Sequence, residues 1–160
     1  MKQGTTLFLR IAVILIGIPV LALCIFLVPE IAKFAAQLLP TIAYVNYFVF
    51  IFFYMTAIPF YGALYQAIKL LSYIDRNEAF SELSVTALKK IKYCAVILSV
   101  FYLAGMPLFY LIAEADDAPG IIVIGLVIIF ASAVIAVFAA VLQRLLQEAV
   151  QIKSENDLTV

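Results

Sequence analysis

Histidine and tryptophan are absent from this chain. Without histidine there is no imidazole, the commonest general base and metal ligand near neutral pH. Without tryptophan, an aromatic belt at a membrane interface has to come from the nine tyrosines and thirteen phenylalanines. Charge is scarce too: 12% of the 160 residues are charged, ten basic against ten acidic. That balance excludes direct nucleic-acid binding, which needs a basic face. Only two cysteines occur, Cys24 and Cys94. They fall in different apolar runs, near opposite ends of the expected spans. No intramolecular disulfide is expected of them, and they read as small packing residues. There is no glycine-rich phosphate loop. Asp75, Glu78 and Glu82 lack the ligand spacing of an EF-hand loop. The expectation is a protein with no catalytic residues, no cofactor and no metal, and not an enzyme.

What the chain has in abundance is apolar sequence. Hydrophobic residues make up 67% of it, with a mean hydropathy of +1.17. Soluble domains are nearer half apolar and about a quarter charged, and a chain this short cannot hide so much apolar surface. Four runs are long enough to cross a bilayer: about 7–28, 41–68, 91–113 and 120–142. Backbone polar groups in lipid must be paired within the segment, so unalternating runs of this kind have to be helices. The fold class is therefore all-α: a polytopic membrane protein, four transmembrane helices in one bundle, forming a single domain over 1–160. Residues 69–90 form a polar segment and 143–160 a tail. The first run is expected to stay in place as a span. A lipoprotein cleavage box wants a small residue before the cysteine, where Leu23 stands, and the apolar run continues past Cys24 to Val28.

Orientation follows from lysine and arginine. Lys2 and Arg10 flank the start. Lys69, Arg76, Lys89, Lys90 and Lys92 lie between the second and third runs, and Arg144 and Lys153 follow the fourth. The remaining connectors hold only Lys33, together with Glu114, Asp116 and Asp117 in "EADDAPG". Both termini and the 69–90 segment are thus expected on the cytoplasmic side, in a bacterial cytoplasmic membrane.

Inside the spans, Pro19, Pro59 and Pro107 each remove a backbone donor and predict kinks. Gly125, Ser132, Ala136 and Ala139 recur at helical spacing and give the fourth helix a small-residue face. Such faces let backbones approach closely in lipid, here against a sister helix or, as the alternative, a second copy in a homodimer. Arg10 lies near enough to the edge to snorkel. No carboxylate or guanidinium stands mid-span, as ion-coupled transporters usually require.

The longest polar stretch is "SYIDRNEAFSELSVTALKKIKY", residues 72–93. Ser81 is placed as a helix N-cap, with Phe80 and Val85 at the two ends of a hydrophobic staple and Glu82 in the first turn. The third helix is therefore expected to begin near Glu82. Lys89, Lys90 and Lys92 fall where lipid headgroups would lie. Asp75, Arg76, Glu78, Phe80, Ser81 and Glu82 form a candidate protein-docking surface. "RLLQEAVQI" is expected to prolong the fourth helix. The final "DLTV" reads as a fraying or extended end that could add to a partner's sheet, with Asn156, Asp157 and Leu158 as candidate contacts.

These features resemble a known family. Four runs, "AFS" followed by "ALKKIKY" before the third, and a final "ENDLTV" are similar to the YoaS-like small membrane proteins of Bacillus and relatives, a family defined by a domain of unknown function. The match covers nearly the whole chain. Such proteins are typically encoded beside a small Cro/CI-type helix-turn-helix regulator. The resemblance implies a membrane protein that sequesters or tunes a cytoplasmic partner, a small helix-turn-helix regulator. Together with the want of catalytic motifs and the proline-containing spans, the expectation is a non-enzymatic regulator that senses membrane state. It supplies no catalytic residues. The competing expectation is a small transporter, or an immunity protein against membrane-active peptides. It rests on the proline-containing spans and on Glu114, Asp116 and Asp117, which would attract cationic peptides. A lipid-metabolising enzyme ranks last for want of motifs.

Overall fold

The computed structural model describes residues 3–159, with Gln3 and Thr159 described in backbone only. Lys2, counted above with the basic flank, and Val160, the last residue of "DLTV", lie outside the described residues. The chain is all-α. Its helices are α1 (Gln3–Leu38), α2 (Val45–Asp75), α3 (Glu82–Ala115) and α4 (Gly120–Thr159). All four are long and apolar enough to cross a membrane.

Residue size is distributed in the opposite sense to a water-soluble protein. Large apolar side chains point outward, with Phe26 and Phe130 each 72% exposed, while Ala32, Ala35, Ala136 and Ala139 are buried. In water such a surface would be a continuous aggregation site. In lipid it is the solvated face, and the interior is left to residues small enough for backbones to meet.

Two of the turns have the same construction. After α2, Arg76 caps the helix and Asn77 takes the left-handed conformation (φ 59°). The Glu78 N–H then donates to the Tyr73 carbonyl at 2.7 Å and the Asn77 N–H to the Ile74 carbonyl at 3.1 Å. After α3, Asp117 (φ 52°) plays the part of Asn77, and the Ala118 N–H donates to the Ala113 carbonyl at 2.9 Å. Asn and Asp tolerate this conformation better than other residues with side chains, and the paired bonds satisfy carbonyls that a helix end would otherwise leave open. Pro119 then stands at the start of α4, where a missing N–H costs nothing.

α1 runs well beyond the expected span. The connector expected at 29–40 is helical to Leu38, through Pro29. The reason lies in Val28, Ala32 and Ala35, which recur at helical spacing and are all buried. Ala32 and Ala35 pack with Val45, Val49 and Ile112 into the main apolar cluster. That burial offsets the local cost of the proline. α2 likewise ends at Asp75 rather than near residue 68, so residues 69–75 of the expected polar segment are helix.

Neighbouring helices pack in chain order: α1 on α2, α2 on α3, α3 on α4, with a marginal approach of α1 to α3. Among the described residues no Cα of α4 comes within 8 Å of α1 or α2. The expected bundle is thus open along one side, between α1 and α4. At the α2–α3 contact, a Cβ on Gly105 would lie 2.5 Å from Cε2 of Phe52; at the α3–α4 contact, one on Gly125 would lie 2.8 Å from the Met106 Sδ. Few polar bonds cross between helices. Tyr61 donates to the Gly17 carbonyl (2.7 Å), Tyr54 to the Cys24 carbonyl (3.2 Å) and Ser99 to the Ile129 carbonyl (3.1 Å).

Candidate functional site

The start of α1, the end of α2, the start of α3 and the end of α4 share one end of the molecule, and the polar residues concentrate there. Arg10 on α1 meets Asp75 on α2 at 2.9 Å and donates to the Ser72 hydroxyl at 3.0 Å. Thr6, itself buried, donates to the other Asp75 oxygen. The Asp75 side chain is 21% exposed. Arg10, expected to snorkel to the surface as a free cation, is instead paired with Asp75 and closes a clamp between the first two helices. Asp75, expected on a docking surface, is largely spent on that clamp. The Arg10 Nε is enclosed without a partner.

The other expected docking residues lie around the adjoining turn. Arg76 approaches Glu78 at 3.8 Å and lies over the Tyr73 ring, 5.4 Å from its centroid. Ser81 occupies the N-cap position of α3, but its hydroxyl does not cap. It donates at 2.5 Å to the Glu78 carbonyl, which also receives the Ser84 hydroxyl at 3.1 Å. Glu82 is exposed in the first turn of α3. Phe80 is 57% exposed although Val85 is buried. Instead of closing a staple, Phe80 borders an apolar groove of about 380 Å³. One wall is Leu70, Ile74 and Leu88; the other is Leu142, Leu145 and Leu146 of α4.

Lys89 and Lys90 are exposed and Lys92 is half-buried. Lys89 and Lys92 both lie near the Tyr93 ring, at 6.0 and 4.8 Å from its centroid. Asn156, Asp157 and Leu158 are exposed and helical, Leu158 at 83%. The expectation of an extended end in "DLTV" is corrected as far as Thr159. After Gly125, α4 contains neither glycine nor proline, and extending an existing helix by one residue adds a hydrogen bond without a new nucleus. Gly125, Ser132, Ala136 and Ala139 are buried, and Gly125 sits against Met106 and Phe109 of α3.

Halfway along the helices lies a cavity of about 440 Å³ with walls from all four. Its polar groups are Cys24, Thr56, Tyr102 and Ser132, and no acidic or basic side chain lines it. The Thr56 hydroxyl donates to the Phe53 carbonyl at 2.9 Å.

Residues 30–160 match the family described as "Protein of unknown function (DUF2975)". Over all 160 residues, and over the full length of both chains, the sequence is 74% identical to "Uncharacterized membrane protein YoaS" of Bacillus subtilis (strain 168). The chain belongs to the DUF2975 family. No solved structure matches it.

In this DUF2975 protein, sequence reading missed two groups of residues. The partners of Asp75 were one. Thr6 and Arg10 lie four residues apart, as do Ser72 and Arg76 around Asp75, so each set lies along one helix face, but nothing local says that the two faces meet. The groove wall on α4 was the other. Its signal was present: from Leu142 at the expected end of the span, Leu145, Leu146 and Ala149 continue the helical spacing beyond it.

Proposed function

We propose that this protein is a non-enzymatic membrane regulator that holds a cytoplasmic protein by an amphipathic helix laid in the groove between Phe80 and α4. The observation that carries this reading is the groove's apolar lining at the charged end of the molecule. α4 has 40 residues, about 60 Å of helix, against a hydrocarbon core of roughly 30 Å. Its last sixteen residues carry Arg144, Glu148, Lys153, Glu155 and Asp157, which supports a position in water for that part. Phe80 and Leu145 are nonetheless each 57% exposed there. An apolar groove rimmed by charge suits a helix that presents anchors at three- and four-residue spacing.

The bias of basic residues towards this end supports a cytoplasmic placement. Likeness to the YoaS-like family supports a small helix-turn-helix regulator as the partner. Prolines 19, 59 and 107 are the positions at which spans could change curvature with the state of the bilayer. The test is crosslinked capture from native membranes with the intact chain, compared with F80E and L145E. A small DNA-binding protein captured by the intact chain and lost with either substitution supports the reading. Equal capture by all three, or none, sinks it.

The mid-span cavity favours a second reading, a small transporter of an apolar solute. S132L would then abolish transport while leaving partner capture unchanged.

A further inference from the structure

At the same end, but on the opposite side of α2 from the groove, a second recess of about 520 Å³ is lined by Arg10, Lys69, Ser72, Tyr73, Asp75 and Arg76. Three cations converge on it from two helices. Asp75 offsets Arg10 in the 2.9 Å clamp. Glu78 approaches Arg76 only loosely, at 3.8 Å, with side chains 60% and 44% exposed, and an exposed pair of that kind is weak. Lys69 has no ion pair among the described residues and rests over the Tyr65 ring, 5.2 Å from its centroid. The recess thus holds positive charge that the protein does not neutralise, beside two hydroxyls able to donate.

Its position narrows the ligand. Leu7, Phe8 and Ile11, which surround Arg10 on α1, are 58%, 69% and 48% exposed. On α2 the chain passes from the apolar "GALYQAI" to Lys69 at this level. The recess therefore lies where lipid-facing surface gives way to charged surface, the depth of phospholipid phosphates. Basic pockets between helices at that depth suit anionic headgroups. A guanidinium, an ammonium and hydroxyl donors together fit a phosphate better than a carboxylate, because a phosphate offers more acceptor oxygens.

We propose that this recess binds a phosphate ester, held by Lys69 and Arg76 and oriented by the clamped Arg10. The group is the headgroup of an anionic phospholipid or a soluble phosphate. The site is separate from Lys89, Lys90 and Lys92 and does not depend on any partner in the groove.

The test is native mass spectrometry of the full-length protein in detergent. Phosphatidylglycerol and phosphatidylcholine are offered in one arm, and inorganic phosphate and glycerol 1-phosphate in another. The variants are K69Q/R76Q, the charge-conserving K69R/R76K, and K89Q/K90Q, which removes the same charge elsewhere. Circular dichroism checks that each is helical. Retention of phosphatidylglycerol over phosphatidylcholine is expected, falling about thirtyfold in K69Q/R76Q at roughly 1 kcal/mol per basic side chain. K69R/R76K restores it and K89Q/K90Q retains it. Binding of the soluble phosphates with the same dependence on Lys69 and Arg76, and without a lipid preference, assigns the site to a soluble phosphate. Unchanged binding of both classes in K69Q/R76Q overturns the proposal, as does an equal loss in K89Q/K90Q.

Discussion

Gly105 and Gly125 set how closely α3 approaches its two neighbours. A methyl group on either would press into Phe52 or into Met106 and Phe109, at distances real Cβ atoms do not adopt. G105L and G125L are expected to lower the thermal unfolding midpoint in detergent, each by the equivalent of about 1–3 kcal/mol of overpacking. The clamp belongs to the same scale. D75N leaves Arg10 part-buried, with its enclosed Nε still unpaired and its charge no longer matched. The expected cost is about 2 kcal/mol, the usual value of a hydrogen bond to a charged group, read from the same unfolding midpoint. Partner capture by the folded fraction of D75N is expected to match the intact chain, because Asp75 faces Thr6 and Arg10 rather than the groove.

At the scale of the element, the start of α3 is the most readable part of the molecule. Ser81 and Glu82 mark the start of α3 at the position where the helix begins, and Asn77 and Asp117 carry the left-handed residues that end α2 and α3. N77V is expected to destabilise by about 1–2 kcal/mol, since a β-branched residue pays the full steric cost of that conformation, whereas N77G is expected to be neutral. Parallel unfolding measurements of the pair decide the matter. The four apolar runs were equally legible, because lipid imposes length and composition on each segment by itself. Helix ends were not. Residues 29–38 read as a connector because Pro29, Glu30 and Lys33 interrupt the apolar run, and only the burial of Ala32 and Ala35 against α2 and α3 makes them helix. The Arg10–Asp75 clamp and the groove were hidden for a related reason. Each joins residues from different helices, and periodicity within one helix specifies a face without naming what it meets.

At the scale of the whole molecule, charge is distributed by end. Eight of the nine basic residues among the described residues belong to the end where α1 starts and α4 finishes, and the proposed orientation, by the positive-inside rule, puts that end in the cytoplasm. A fluorescent protein fused after residue 160 is expected to light up. A cysteine introduced at Asp116, in a background with Cys24 and Cys94 replaced by serine, is expected to react with a membrane-impermeant maleimide in intact cells, and one at Asn77 only after lysis. The opposite labelling pattern would invert the molecule and remove the groove from the cytoplasm.

Packing in chain order also bears on how such a molecule is made. Each helix meets chiefly the one synthesised just before it, and α4 needs nothing from α1 or α2 by way of backbone contact. No helix has to wait in the bilayer for a distant partner. The loops to be closed are a few residues long, and low sequence separation between contacting elements favours rapid assembly. The order of insertion is then the order of folding, and α4, the last of the four helices to be made, completes both the mid-span cavity and the groove.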